Sequence, residues 1–315
     1  MIENTLPPGF TIRPPTLDDI PMVNELIRTY YIANYGTSRA TEEQLRTLWT
    51  IPGFQLATDA WVVISPEGTI VAYATVDTID EKQFAMSGCL HPEYRNKGIG
   101  TYLIHLVEER TRQIISNAPT NAIIRYEIAS VDEAGKQLLT HEGYSIIRYT
   151  LQMEIEMSEM PSEPQWSEGV SVRQFQKEQD ERAVHAVDEE TFADHWNHTP
   201  LSFELWQHWM IQRDTFDPTL WFLATDGNEI AGICLCVIGE SGEGWVDSLG
   251  VRRPWRRKGL GMALLRHAFK EFYQRNIHKV GLTVDAQSLT GATRLYERAG
   301  MHTIRRYDLY EKELC

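Results

Sequence analysis

Cysteine is scarce in this chain, with only Cys89, Cys234, Cys236 and Cys315 among 315 residues. Their scatter excludes a disulfide framework. Cys234 and Cys236 share one face of the apolar, strand-like run Ile230 to Ile238, which reads as core packing and not as a metal site. Long apolar runs are absent too, and none approaches the length that spans a bilayer. The stretch Met1 to Pro8 has neither the basic nor the apolar segment of a secretion signal. Positive charge is the third shortage: 30 Lys and Arg stand against 44 Asp and Glu, a formal net charge of −14. That balance excludes nucleic-acid binding as the main task, because neutralising phosphates needs a basic surface. We expect a cytoplasmic protein with no membrane and no nucleic-acid partner. An apolar content of 42% and a charged content of 23% fit a globular chain long enough for two domains.

Against this acidic background one basic, Gly-rich hexamer occurs twice, with Arg95 and Arg256 161 residues apart. Arg95-Asn96-Lys97-Gly98-Ile99-Gly100 follows Cys89-Leu90, and Arg256-Arg257-Lys258-Gly259-Leu260-Gly261 follows Leu249-Gly250-Val251. Each runs straight into an amphipathic helix, through Thr101 in the first copy and Met262 in the second. A strand, a basic Gly turn and a helix make an anion site. The glycines let backbone N–H groups converge, and the helix N-terminus adds unpaired donors and the positive end of its dipole. The spacing is neither G-x-G-x-x-G nor G-x-x-x-x-G-K-[ST]. It is R-x-x-G-x-G with Leu90 or Val251 five residues before the Arg, and this pattern resembles the acetyl-CoA loop of the GNAT N-acetyltransferase superfamily. The resemblance implies acetyl-CoA as cosubstrate. It assigns cofactor contacts to Leu249, Val251, Arg256, Arg257, Lys258, Gly259, Leu260, Gly261 and Met262, and to Leu90, Arg95, Asn96, Lys97, Gly98, Gly100 and Thr101.

The repeat extends beyond the loop. Gly9-Phe10-Thr11-Ile12-Arg13 lines up with Gly169-Val170-Ser171-Val172-Arg173, and Trp49 and Trp61 line up with Trp209 and Trp221. Near the ends Glu142-Gly143-Tyr144 meets Ala299-Gly300-Met301. Offsets that drift through small indels mark a duplication. We expect domains at 1–156 and 169–315, joined by a Pro-, Ser- and Glu-rich linker at 157–168. Each half reads as an opening strand, one or two helices, a strand pair, a strand feeding the Gly loop, a long helix, a later strand, a short helix and a closing strand (Tyr149 to Ile155; Tyr307 to Lys312). Only the segment around the loop suggests a parallel crossover. The expectation is an α/β protein with a mixed sheet, two tandem GNAT-like domains that pack as a pseudo-dimer within a monomer.

The halves differ where chemistry would sit. GNAT enzymes often protonate the leaving thiolate from a Tyr in a pattern like A-x-x-L-Y-E-x-x-G. The second half matches it from Ala292 to Gly300, with Tyr296 as the acid. The first half has Leu139 there, which cannot donate a proton. Asp247 lies four residues before Val251 inside an apolar run, an expensive place for a carboxylate. The resemblance makes it the candidate base, although it could equally bind the acceptor's charge or end a hydrogen-bond network. Its counterpart is Met86. Where the family often has an Asn, this chain has Ser288 and Leu289.

The acceptor pocket is read from Glu190 to Pro200, with Asp194, His195 and Trp196 as candidate contacts. His195-x-x-His198 fits no common zinc signature, so no metal is assigned. The tandem layout is similar to the mycothiol synthase family, whose usual acidic residue before the loop is not matched in place. We therefore expect acetyl transfer to a small-molecule primary amine, with chemistry in the second half. The alternatives are a peptide or protein N-acetyltransferase and a non-catalytic acyl-CoA-binding regulator.

Overall fold

A computed structural model of the chain describes residues 5–115, 122–288 and 291–314. Leu289 and Cys315, noted above, lie outside them. The first elements are β1 (Thr11–Arg13), α1 (Ile20–Tyr35), α2 (Glu42–Trp49), α3 (Leu56–Asp59), β2 (Ala60–Ile64), β3 (Ile70–Thr78), β4 (Gln83–Leu90), α4 (Ile99–Ile115), β5 (Ala122–Ala129) and α5 (Glu133–His141). After β6 (Ser145–Glu156) come β7 (Val170–Gln174), α6 (Glu181–Phe192), α7 (Phe203–Met210), β8 (Trp221–Asp226), β9 (Glu229–Ile238) and β10 (Gly244–Val251). The chain ends with α8 (Leu260–Gln274), β11 (Lys279–Asp285), α9 (Ala292–Arg298) and β12 (His302–Leu314). No helix among the described residues is long and apolar enough to cross a membrane.

The chain divides into two compact units, Met1–Tyr149 with Tyr307–Cys315 as unit 1, and Thr150–Arg306 as unit 2. In unit 1 the strand order is β1-β2-β3-β4-β5-β12, and in unit 2 it is β6-β11-β10-β9-β8-β7. Pairing is antiparallel except between β4 and β5 and between β10 and β11. Those two parallel pairs are the crossovers that the repeated loop predicts.

Strand periodicity builds a core on each face of each sheet. In β8, Phe222 and Ala224 pack with Leu264, Phe269 and Phe272 of α8, while Trp221 and Leu223 pack with Val184 and Trp206 of α6 and α7. In β9, Cys234 and Cys236 take the α8 side and Ile233 and Leu235 the other. The two cysteines are core residues. Unit 1 repeats the scheme, with Leu103 and Val107 of α4 on one face and Ile20, Val23 and Trp49 of α1 and α2 on the other.

The closing strands depart from the sequence expectation. Thr150–Glu156 of β6 pairs with β11 in unit 2, and Tyr307–Leu314 of β12 pairs with β5 in unit 1. Each half of the sequence thus gives its last strand to the other unit. The Pro- and Ser-rich stretch after β6 carries no helix or strand, as expected, yet it is held along unit 2. Met157 donates its N–H to His278, Trp166 packs edge-on against His267, and the Ser167 hydroxyl donates to the Lys258 carbonyl.

The exchanged β12 is secured in unit 1 by more than its ladder with β5. Lys312 Nζ lies 2.6 Å from the carboxylate of Glu108, which is 3% exposed on α4, and Arg112 approaches the same carboxylate at 3.2 Å. Removing the lysine leaves a buried carboxylate short of a donor. We expect Lys312→Met to lower unfolding stability by about 1.5–3 kcal/mol, read from the denaturant midpoint. An unshifted midpoint would show that the pair does not help to hold the strand.

Candidate active site

The Gly loops have the same backbone in both units. Asn96 and Gly98 adopt φ of 61° and 80°, and Arg257 and Gly259 adopt 63° and 82°. Two left-handed residues one position apart, just before the helix, turn backbone N–H groups to one side, a concave anion cradle. Gly supplies the second position freely, and Asn tolerates the first in unit 1. Arg257 holds it in unit 2 against its own steric preference, the kind of strain that collects at binding sites. Gly259 caps α8 with no side-chain hydrogen bond, so the first N–H groups of that helix await an outside acceptor.

Arg256 has a structural task beside the one the motif suggests. Its guanidinium donates to the Val251 carbonyl at 2.9 Å, to Asp194 at 2.8 Å and to the Thr191 carbonyl at 3.4 Å. Arg253 also donates to Asp194, at 2.5 Å, and Arg252 to Glu190 at 2.7 Å. Three arginines within five residues, Arg252, Arg253 and Arg256, thereby clamp the end of α6 onto the loop. Close packing permits it: a Cβ on Gly250 would stand 2.2 Å from the Thr191 hydroxyl. The arginines, Arg253 before Arg256, hold the Asp194 carboxyl down to about 2. Asp194, expected to meet the acceptor, is occupied with the loop.

A cavity of about 880 Å³ opens beside this clamp. Its walls include Leu249, Val251, Arg256, Arg257, Gly259, Leu260, Gly261 and Met262 from the loop region, with Asp194, His195, Asp247 and Tyr296. Lys258 and Trp196 do not line it, and Trp196 is 40% exposed. Tyr296 reaches the cavity from α9 and is 8% exposed. Burial pushes its phenol well above the ordinary value, with Cys234 a lesser influence. His195 is kept below the ordinary imidazole range chiefly by burial. His198 turns to Glu189, 3.1 Å away, and among the described residues no three His, Cys, Asp or Glu side chains gather as metal ligands.

Asp247 occupies a β-bulge. β10 pairs with β9 through Val246↔Cys236 and then Ser248↔Leu235, so Asp247 is the extra residue. A bulge re-aims one side chain without breaking the strand. The next residue is pinned: the Ser248 hydroxyl donates to Asp188 at 2.6 Å, and the indole of Trp206 donates to the same carboxylate at 2.9 Å. The Asp247 side chain is 18% exposed and ion-paired with Arg213. Burial pushes its carboxyl up, and Arg213 opposes the shift. Sequence reasoning missed Arg213 and Asp188, which act across 34 and 60 residues with no local signature.

Unit 1 has a smaller cavity of about 600 Å³ in the equivalent place, lined by Leu90, Arg95, Asn96, Gly98, Gly100 and Thr101 among others. Met86 and Leu139 face it where unit 2 has Asp247 and Tyr296. Lys97 does not line it, and its ammonium lies 4.6 Å from the centre of the Tyr94 ring. Arg95 is ion-paired with Asp132 at 3.2 Å. β4 pairs with β3 without a bulge.

Residues 20–122 and 181–301 each match the acetyltransferase (GNAT) family. A mycothiol acetyltransferase of Saccharopolyspora erythraea is 27% identical over 79% of this chain and 82% of its own length. The crystal structure of a GCN5-related N-acetyltransferase from Sphaerobacter thermophilus superposes with a TM-score of 0.83 at 36% identity, covering 98% of this chain and 97% of that one. A tandem GNAT protein from the clavulanic acid biosynthesis pathway gives 0.71 at 13% identity, covering 96% and 98%, a likeness of fold.

The clamp generates a kinetic expectation. Arg256→Gln loses the charged bonds that fix the loop, and should raise the KM for acetyl-CoA roughly tenfold, with a smaller change in kcat. Steady-state kinetics at fixed acceptor test this, and an unchanged KM would show that the loop holds its shape unaided.

Proposed function

The chain belongs to the acetyltransferase (GNAT) family, and from that premise we propose that unit 2 carries the acetyl group of acetyl-CoA to the primary amine of a small molecule. The observation that carries this reading is one cavity in which the anion cradle, Tyr296 and Asp247 meet. Relatives named mycothiol acetyltransferase support a small-molecule acceptor. In unit 1, Met86 and Leu139 replace both polar groups, which supports a non-catalytic role there.

The residues suit the proton bookkeeping of acetyl transfer. The pyrophosphate of acetyl-CoA rests on the N–H groups at the start of α8, and the arm leads the thioester toward Tyr296. The acceptor amine must first lose a proton, which passes to the Asp247 carboxylate, directly or through water. The free amine then attacks the thioester carbonyl; its nitrogen bonds the acetyl carbon and gives up its second proton to solvent as the carbon–sulfur bond breaks. The leaving thiolate takes the Tyr296 phenolic proton, and solvent restores both groups. Burial keeps Tyr296 protonated through the neutral range, the form a general acid requires. Arg213 opposes the upward push of burial on Asp247 and favours its anionic form.

The signs of these shifts fix the pH profile. A base whose pKa is raised loses activity as pH falls through that raised value, so the acid limb should lie above the ordinary carboxylate range. An acid whose pKa is raised stays protonated as pH rises, so Tyr296 should impose no alkaline limb below about pH 10. Tyr296→Phe should reduce kcat by roughly 10²–10⁴ with little change in acetyl-CoA affinity, and Asp247→Asn should abolish the acid limb. Thiol release assayed against a panel of primary amines from pH 5 to 10 is the measurement. Full activity in the Tyr296 variant would remove it as the acid, and peptide amines outperforming every small amine would overturn the acceptor class.

A further inference from the structure

The two units differ in the gap between their parallel strands as well as in their reactive groups. In unit 2 the pairing of β10 with β11 runs from Gly244↔Val280 to Val246↔Leu282 and stops at the bulge. Past that point both strands line the cavity, through Leu249, Gly250 and Val251 on one side and Thr283, Val284 and Asp285 on the other. A cosubstrate with its pyrophosphate at the Gly loop and its thioester near Tyr296 must run its arm between these parted strands. The arm's amides can then bond backbone groups that no strand satisfies.

In unit 1 the equivalent pairing continues one step further, to Met86↔Tyr126. Register makes Tyr126 the counterpart of Thr283, and Gly88 the counterpart of Leu249. The Tyr126 hydroxyl donates to the Gly88 carbonyl at 2.7 Å. A side chain from β5 therefore reaches across the parting to β4 and takes a backbone acceptor that an arm would use. Thr283, the counterpart of Tyr126, is too short for this.

We infer that unit 1 does not admit the pantetheine arm, because the Tyr126 phenol spans the gap that the arm would thread, and that each chain holds a single acetyl-CoA, in unit 2. This rests on the reading of unit 2 as the acetyl-CoA site. Cradle geometry at Asn96 and Gly98 does not suffice for the cosubstrate when the slot beyond it is bridged.

Calorimetric titration of acetyl-CoA into the full chain reads the stoichiometry. One equivalent per chain is expected for the wild type and none for Gly259→Val, whose loop cannot hold its left-handed turn. Tyr126→Thr, which installs the unit 2 residue, should give two equivalents and leave turnover unchanged. Two equivalents in the wild type, or one surviving in Gly259→Val, would overturn the inference without help from any Tyr126 variant. A single equivalent in a folded Tyr126→Thr chain would overturn Tyr126 as the obstacle. No binding to the wild type would sink the acetyl-CoA reading of unit 2 itself, and this inference with it.

Discussion

Paired parallel strands satisfy each other's backbone donors and acceptors, and where they part those groups must find other partners or meet water. The parting of β10 from β11 after Val246 and Leu282 is the constraint on which unit 2 depends. It opens the cavity between the Gly loop and Tyr296, and it leaves a strand edge that a linear arm with amides can satisfy. The bulge at Asp247 ends the pairing and supplies the carboxylate in the same step. Unit 1 meets the same constraint from inside, with the Tyr126 hydroxyl as the partner of Gly88.

A cavity of this kind needs walls that keep their place without a ligand. The end of α6 is tied to the loop by Arg252, Arg253 and Arg256, with Glu190 and Asp194 as the opposing charges. On the opposite face of β10, Asp188 holds Ser248 and Trp206. The bulge is therefore fixed from the helix side while its own carboxylate meets Arg213. Surface ion pairs contribute little when isolated. Here they converge on one loop, and their consequence is geometry at Arg256 to Gly259 more than stability.

Much of this was legible in the sequence because it is local. R-x-x-G-x-G dictates a left-handed turn at the start of a helix whatever surrounds it, and both copies have it. The replacement of Tyr296 by Leu139 is visible within one short helix. The strand runs were readable from period-two apolar patterns, and the paired cores at Phe222 and Leu223 show why. The exchange of β6 and β12 was not readable, since an alternating strand carries no mark of which neighbour it joins and register is a long-range outcome. Arg213, Asp188 and Tyr126 were hidden for a related reason. Each matters through one contact with a residue distant in sequence, and none stands in a pattern. The stretch 157–168 reads as a linker by composition, yet it lies within unit 2, and Trp166 and Ser167 show that such a stretch can be packed down.

The proposed reactive site carries a cost for its host. Asp247 sits where desolvation disfavours its charge, and its position is held by an arginine partner, a bulge and the part-buried Asp188 network behind it. At the matching places unit 1 has Met86 in an unbroken ladder and Leu139 packed in the core. Such apolar residues need no ion partner and leave no buried charge exposed to failure when a neighbour changes. If Tyr296 and Asp247 act as proposed, doing without their counterparts relieves unit 1 of the demand for a charged, strained pocket. The strand gap can then close on a tyrosine that any arm-binding site would have to exclude. On this argument the loss of chemistry and the closing of the slot are coupled, because each removes the constraint that kept the other open.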